Sequence, residues 1–146
     1  MLGLVQRVSS ADVHVTGKRI AEIARGSLVL VGVQPEDTPQ TAERLGEKLL
    51  KYRLFADASG KTNLSVIDIE GGILLVPQFT LAANTQKGLR PSFSSAAKPD
   101  IANQLFQHLF HYCQSKYHNV QQGQFGADMQ VSLCNDGPVT FLLEVN

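Results

Sequence analysis

Two short stretches place side chains that can do chemistry where a chain would present them. Pro77-Gln78-Phe79-Thr80-Leu81-Ala82-Ala83 follows directly on the apolar run Ile73–Val76. In an extended chain Gln78 and Thr80 share one side and Phe79 and Leu81 the other. Such a segment offers an amide and a hydroxyl side by side at the end of a buried strand, or it is an amphipathic edge strand and nothing more. The second stretch is Asn135-Asp136-Gly137-Pro138-Val139-Thr140. Its residue types are those of an ordinary inter-strand turn, and the Gly137-Pro138 bond can be cis or trans. Neither Gln78-Phe79-Thr80 nor Gly137-Pro138 supplies a histidine or a carboxylate as general base.

Other reactive types give weaker signals. His108-x-x-His111 has helical spacing, but Cys113 and His118 are the only further ligand types nearby and no carboxylate flanks the pair, so it reads as a solvated helix face and no metal is expected. Cys113 falls on an apolar stripe and reads as a core thiol; Cys134 ends an apolar strand and reads the same way. Lys87 and Arg90 could meet phosphate or stand as two solvated loop charges. There is no G-x-S-x-G elbow, P-loop or G-x-G-x-x-G, and no cofactor is expected.

The elements that must position these residues follow from periodicity. Leu2–Ser9, the stretch through Val13 and Val15, Arg19–Ala24 and Ser27–Val33 alternate or run apolar and predict strands, with Thr16-Gly17 as a turn. Leu28–Val33 predicts a central strand buried on both faces. Thr38 is a ready N-cap with Pro39 at the first helical position, and Ala42, Leu45, Leu49 and Leu50 share one helical face. Gly71-Gly72 introduces a second buried strand, Ile73–Val76. Residues 84–98 have loop composition and a length that suggests function. A second helix is predicted from about Pro99 to about Tyr117, and two last strands over Asp128–Cys134 and Thr140–Val145. The sum is a single α+β domain over residues 1–146, with a curled, barrel-like, mostly antiparallel sheet and two main helices.

Composition narrows the task. The chain has 146 residues, 43% of them hydrophobic and 18% charged, which is enough to bury one core without disulfides or metal. Lys and Arg balance Asp and Glu at 13 each, so an extensive duplex-wrapping surface is not expected, and any contact with RNA should involve an end or a few phosphates. The first ten residues are broken by Gln6 and Arg7, and no run reaches the roughly 20 apolar residues of a membrane helix. A soluble, cytoplasmic protein is expected.

Taken together and in order, several segments resemble the D-aminoacyl-tRNA deacylases, also called D-tyrosyl-tRNA deacylases. They are Leu4-Val5-Gln6-Arg7-Val8, Tyr52-Arg53-Leu54-Phe55, Asn63-Leu64, Gln78-Phe79-Thr80-Leu81-Ala82, Lys87-Gly88-Leu89-Arg90-Pro91-Ser92-Phe93, Phe125-Gly126-Ala127-Asp128-Met129-Gln130-Val131 and Asn135–Phe141. The resemblance implies a homodimer with its active sites at the subunit interface. It implies hydrolysis of the ester between a D-amino acid and the terminal adenosine of tRNA, with no membrane or DNA partner. Gln78, Phe79 and Thr80 would form one wall of the pocket, and Gly137 and Pro138, joined by a cis bond, would enter from the other subunit. Phe125 and Met129 would line it. Two positions depart from the family pattern: Pro77 stands where a serine is usual, and Leu142 where a larger aromatic is common. Two other readings stay open: a fold of this kind acting on a different small ester or nucleotide, and a dimeric RNA-end or ligand-binding module without turnover, in which Pro77 marks the lost activity.

Overall fold

The computed structural model describes residues 1–86 and 88–146; Lys87, one of the two loop cations singled out above, lies outside the described residues. Among the described residues, eight strands, two helices and one 3-10 turn follow in order: β1 (Leu2–Val15), β2 (Lys18–Ile23), β3 (Gly26–Gly32), α1 (Pro39–Lys51), β4 (Phe55–Ala56), β5 (Thr62–Leu64), β6 (Gly72–Pro77), the 3-10 turn Phe79–Ala82, α2 (Pro99–Lys116), β7 (Val120–Gln122) and β8 (Met129–Glu144). The main sheet runs β2-β1-β3-β6-β7, with β8 also paired to β1. The pairs of β1 with β2, β3 and β8 are antiparallel, whereas β3-β6 and β6-β7 are parallel. Glu22 N–H donates to Gln121 Oε1 at 3.0 Å, which ties β2 to β7 and curls the sheet nearly into a barrel.

The alternation of buried side chains explains the layers. Val29, Ile73 and Leu75 point towards the helices and join Leu45, Leu49, Phe106 and Leu109 in the larger core. Leu28, Leu74 and Val76 point the opposite way, into a second cluster with Val8, Val13 and Ile23. Being buried on both faces, β3 and β6 read as unbroken apolar runs, as parallel neighbours do. Helix α1 begins where predicted: the Thr38 hydroxyl accepts from Thr41 N–H at 3.2 Å, the Thr41 hydroxyl accepts from Thr38 N–H, and Pro39 occupies the first turn. No helix among the described residues is long and apolar enough to cross a membrane.

Three expectations are corrected. The first two predicted segments are one continuous strand, β1, which serves β3 at one end and β2 at the other while β8 runs along its opposite edge. The segment after β6 is not extended: it folds at once into the 3-10 turn. The last two strands are a single strand, β8, and Asp136–Val139 are not a hairpin turn but an irregularity within it. The β1 register passes from Gln6↔Thr140 to Val8↔Asn135, so residues 136–139 bulge out opposite Arg7.

Gly26 and Gly72 face each other at the start of the parallel pair. A Cβ at Gly26 would lie 1.9 Å from the Gly72 carbonyl oxygen. Backbone cannot swing away as a side-chain end can, so Gly26→Ala is expected to cost about 3 kcal/mol or more. Urea denaturation monitored by far-UV circular dichroism would measure this, and an unchanged midpoint would contradict it.

Candidate active site

The end of β6 shapes the site. Gln78 N–H donates to the Val31 carbonyl at 2.8 Å, the last rung between β6 and β3. From there Leu81 N–H turns back to the Gln78 carbonyl and Ala83 N–H to the Thr80 carbonyl. The leading N–H groups of such a turn have no acceptor within it. Those of Phe79 and Thr80 donate to no backbone carbonyl among the described residues. The Gln78 side-chain amide donates to the Thr80 hydroxyl at 2.6 Å. The site therefore presents one oriented hydroxyl and two backbone donors, grouped by a turn that periodicity does not reveal.

A cavity of about 460 Å³ opens beside this turn. Pro77, Gln78 and Phe79 form one wall, Phe125 and Met129 another, and Pro99 and Ala102 at the start of α2 a third. Phe125 is set by packing on Phe106, with ring centroids 6.4 Å apart. The backbone at Gly123 runs close to Met129, since a Cβ there would sit 2.8 Å from the sulfur. Outside the cavity Phe93 lies against Phe79 at 5.1 Å between centroids, both rings being exposed. The Gly123 and Phe93 contributions had no signal in the sequence beyond Phe93's place in a matched segment. Among the described residues the lining carries no acidic, basic or imidazole side chain.

Gly137 and Pro138 are not among the lining residues of this cavity. They sit exposed on the bulge of β8, and their peptide bond is cis. Arg7 holds the bulge from below: Nε donates to the Asp136 carbonyl at 2.8 Å and Nη1 to the Leu54 carbonyl at 2.9 Å. Asn135 closes it from within, its Oδ1 accepting from Val139 N–H at 2.8 Å and its Nδ2 donating to the Thr140 hydroxyl at 2.8 Å. Gly137 has φ 140°, a value that favours glycine. Its absent Cβ would meet Val139 Cγ2 at 2.7 Å and Arg7 Nη2 at 3.1 Å. The structure thus brings Gln78, Phe79, Phe125 and Met129 together; Thr80, expected in the same wall, is exposed in the turn and not among the lining residues, and Gly137 and Pro138 project elsewhere on the same chain.

The remaining candidates stand apart. Cys113 is buried, and burial pushes its thiol up to about 12, so it is a core group and no nucleophile. Cys134 is exposed on β8, which corrects its expected core position. His108 does have a carboxylate partner, Glu43 of α1, with Nε2 and Oε1 2.9 Å apart across the helix pair. Arg90 is exposed in the loop.

The family profile described as D-Tyr-tRNA(Tyr) deacylase matches residues 4–144. A D-aminoacyl-tRNA deacylase of Pseudomonas fluorescens (strain SBW25) is 57% identical over 144 residues, covering 99% of both chains. One from Legionella pneumophila (strain Corby) is 53% identical with the same coverage. Among solved structures, the c-Myc DNA Unwinding Element Binding Protein superposes with a TM-score of 0.94 at 41% identity, covering 99% of this chain and 98% of its own. A probable eukaryotic D-amino acid tRNA deacylase shares the fold at a TM-score of 0.85 and 17% identity, over 97% of each chain. A profile that spans nearly the whole chain, and relatives this similar end to end, establish that the chain belongs to the D-Tyr-tRNA(Tyr) deacylase family of hydrolases.

Proposed function

We propose that the protein acts as a homodimer that hydrolyses the ester linking a D-amino acid to the terminal adenosine of tRNA, each site combining the Gln78–Thr80 turn of one chain with the Gly137-Pro138 segment of the other. The observation that carries this is the separation of the two motifs. One lines the cavity and the other protrudes, pinned and exposed, from β8. A second copy related by a two-fold axis can offer its bulge to the cavity and receive the other in return. Leu133, Phe141 and Leu142, exposed on the same strand, supply apolar surface for such a contact.

An aminoacyl ester is already activated, so catalysis requires an oriented attack and a stabilised oxyanion. The Phe79 and Thr80 N–H groups suit the oxyanion. Among the described residues no lining side chain can deprotonate water or Thr80. The ribose 2′-hydroxyl next to the ester then assists the attack, and Thr80, held by Gln78, positions the substrate. Pro77 supplies neither a hydroxyl nor an N–H, so no step passes through the usual serine. D-selectivity follows if the Gly137 and Pro138 carbonyls bind the α-ammonium and face the α-carbon. A D side chain then points to solvent, and an L side chain meets those carbonyls.

The test is kcat/KM on D- and L-tyrosyl-tRNA, measured across a dilution series of the protein. Hydrolysis of the D-ester alone, with activity per chain falling as sedimentation shows dissociation to monomers, is the expected result. Full activity in a monomer would overturn the shared site, and binding of D-tyrosyl-tRNA without turnover would favour an RNA-end binder.

A further inference from the structure

We propose that the face of α1 carrying Arg44, Lys48 and Lys51 binds phosphates of the tRNA acceptor stem whose 3′ end occupies the partner subunit's site; this rests on the shared-site deacylase reading above. The three cations recur at i, i+4 and i+7, so they share one side of the helix over about 10 Å. With Glu47 and Tyr52 they surround an open depression of about 300 Å³. The acidic charge there is already answered. Glu47 is bonded by Lys51 at 2.6 Å, and Lys51 together with Lys116 holds its carboxyl below the usual range. Glu43, the other carboxylate of the helix, is bonded by His108 of α2. Arg44 Nη1 donates to the Asn146 carbonyl at 3.0 Å, so among the described residues Arg44, Lys48, Lys51 and Lys116 stand around Glu47, in a chain whose formal net charge is zero.

Position decides the occupant. Tyr52, which follows Lys51, sets its ring edge-on against Phe141 at 5.8 Å between centroids. Phe141 is three residues beyond Pro138 on β8. Arg7 bridges the Leu54 and Asp136 carbonyls, so the end of α1 and the Gly137-Pro138 bulge form one braced unit. When that bulge enters the partner's cavity, the basic face flanks the mouth of the same site. The substrate that reaches such a site trails a polyanion out of it. Phosphates along one RNA strand recur every few ångströms, and a 10 Å row of cations spans about three of them. An open, solvated surface of this kind recognises backbone charge and not base sequence.

Two substrates separate the stem from the end: D-tyrosyl-tRNA, and D-tyrosyl-adenosine, which has the ester and no stem. The protein, the Arg44→Ala/Lys48→Ala double variant and Lys48→Glu are compared on both. The expected result is a loss of about tenfold in kcat/KM on the tRNA, with a plot of log rate against log salt shallower by about one unit for each contact removed, and unchanged rates on the adenosine ester. Binding of uncharged tRNA, which needs no turnover, should weaken in parallel. Unchanged tRNA rates, affinity and salt dependence would overturn the proposal, and so would equal losses on both substrates. If the unaltered protein cleaves neither ester, the deacylase reading itself fails and the stem contact falls with it.

Discussion

D-Tyrosyl-tRNA ending in 2′-deoxyadenosine is expected to be hydrolysed at least about 1,000-fold more slowly than the ribose form, when each rate is taken relative to spontaneous hydrolysis of the same ester. That factor corresponds to about 4 kcal/mol of transition-state stabilisation. It follows from the chemistry of the lining: among the described residues the cavity contains no acidic, basic or imidazole side chain that could act as general base. General acid-base assistance contributes about 10²–10⁴ where it operates, and in the proposed mechanism the substrate's own 2′-hydroxyl gives it. Thr80→Ala should lose only about tenfold, because the Thr80 hydroxyl accepts from Gln78 and has no base to activate it. The backbone donors of Phe79 and Thr80 survive that substitution. Single-turnover rates on the two tRNAs and the two proteins give the ordering directly. A larger loss for Thr80→Ala than for the deoxy substrate, or a trapped ester on Thr80, would restore a nucleophilic threonine.

The donors in that argument come from a turn the sequence conceals. Alternation of Gln78, Phe79, Thr80 and Leu81 fits an extended chain as well as anything else. What ends the strand is long-range: the Gln78 N–H finds the Val31 carbonyl, and β3 offers no further rung before Gly32 and the loop to α1. By contrast the start and the buried face of α1 are legible in the sequence. Its cap, its proline and its apolar spacing are all local, and local signals survive in a sequence. The Asn135–Thr140 segment is the opposite case. Asn, Asp, Gly and Pro serve a hairpin and a bulge equally well, and only pairing with β1 on both sides of Arg7 makes it a bulge. The cavity residues Gln78, Phe79, Phe125 and Met129 were found by the family resemblance and not by their spacing. They lie about 50 residues apart in sequence and meet through β7, a three-residue strand too short to be recognised by pattern.

Glycyl-tRNA should be hydrolysed at a measurable rate while L-alanyl-tRNA, larger by one methyl, is spared. Attraction in an apolar pocket distinguishes one methyl by only about 1–3 kcal/mol, or about 10–200-fold. Exclusion by fixed carbonyls can exceed that, because a Cβ driven against a backbone oxygen has no way to yield. The condition is that the Gly137-Pro138 bulge be stiff, and its hydrogen bonds make it so. Arg7 grips the Asp136 carbonyl and the Leu54 carbonyl, and Asn135 holds both Val139 and Thr140. The Arg7 side chain is 18% exposed, and its bond to the Leu54 carbonyl is partly shielded from competing water. Arg7→Ala removes the brace beneath the bulge without touching Gln78, Phe79 or Thr80. It is expected to narrow the ratio of D-alanyl to L-alanyl hydrolysis by about tenfold or more, with a smaller change in the D-alanyl rate itself. Glycyl-tRNA, which has no Cβ to reject, should follow the D-alanyl rate in both proteins. Similar rates on glycyl- and L-alanyl-tRNA in the unaltered protein would rule out exclusion. A variant that keeps full discrimination would show that the bulge is held rigid by something other than Arg7.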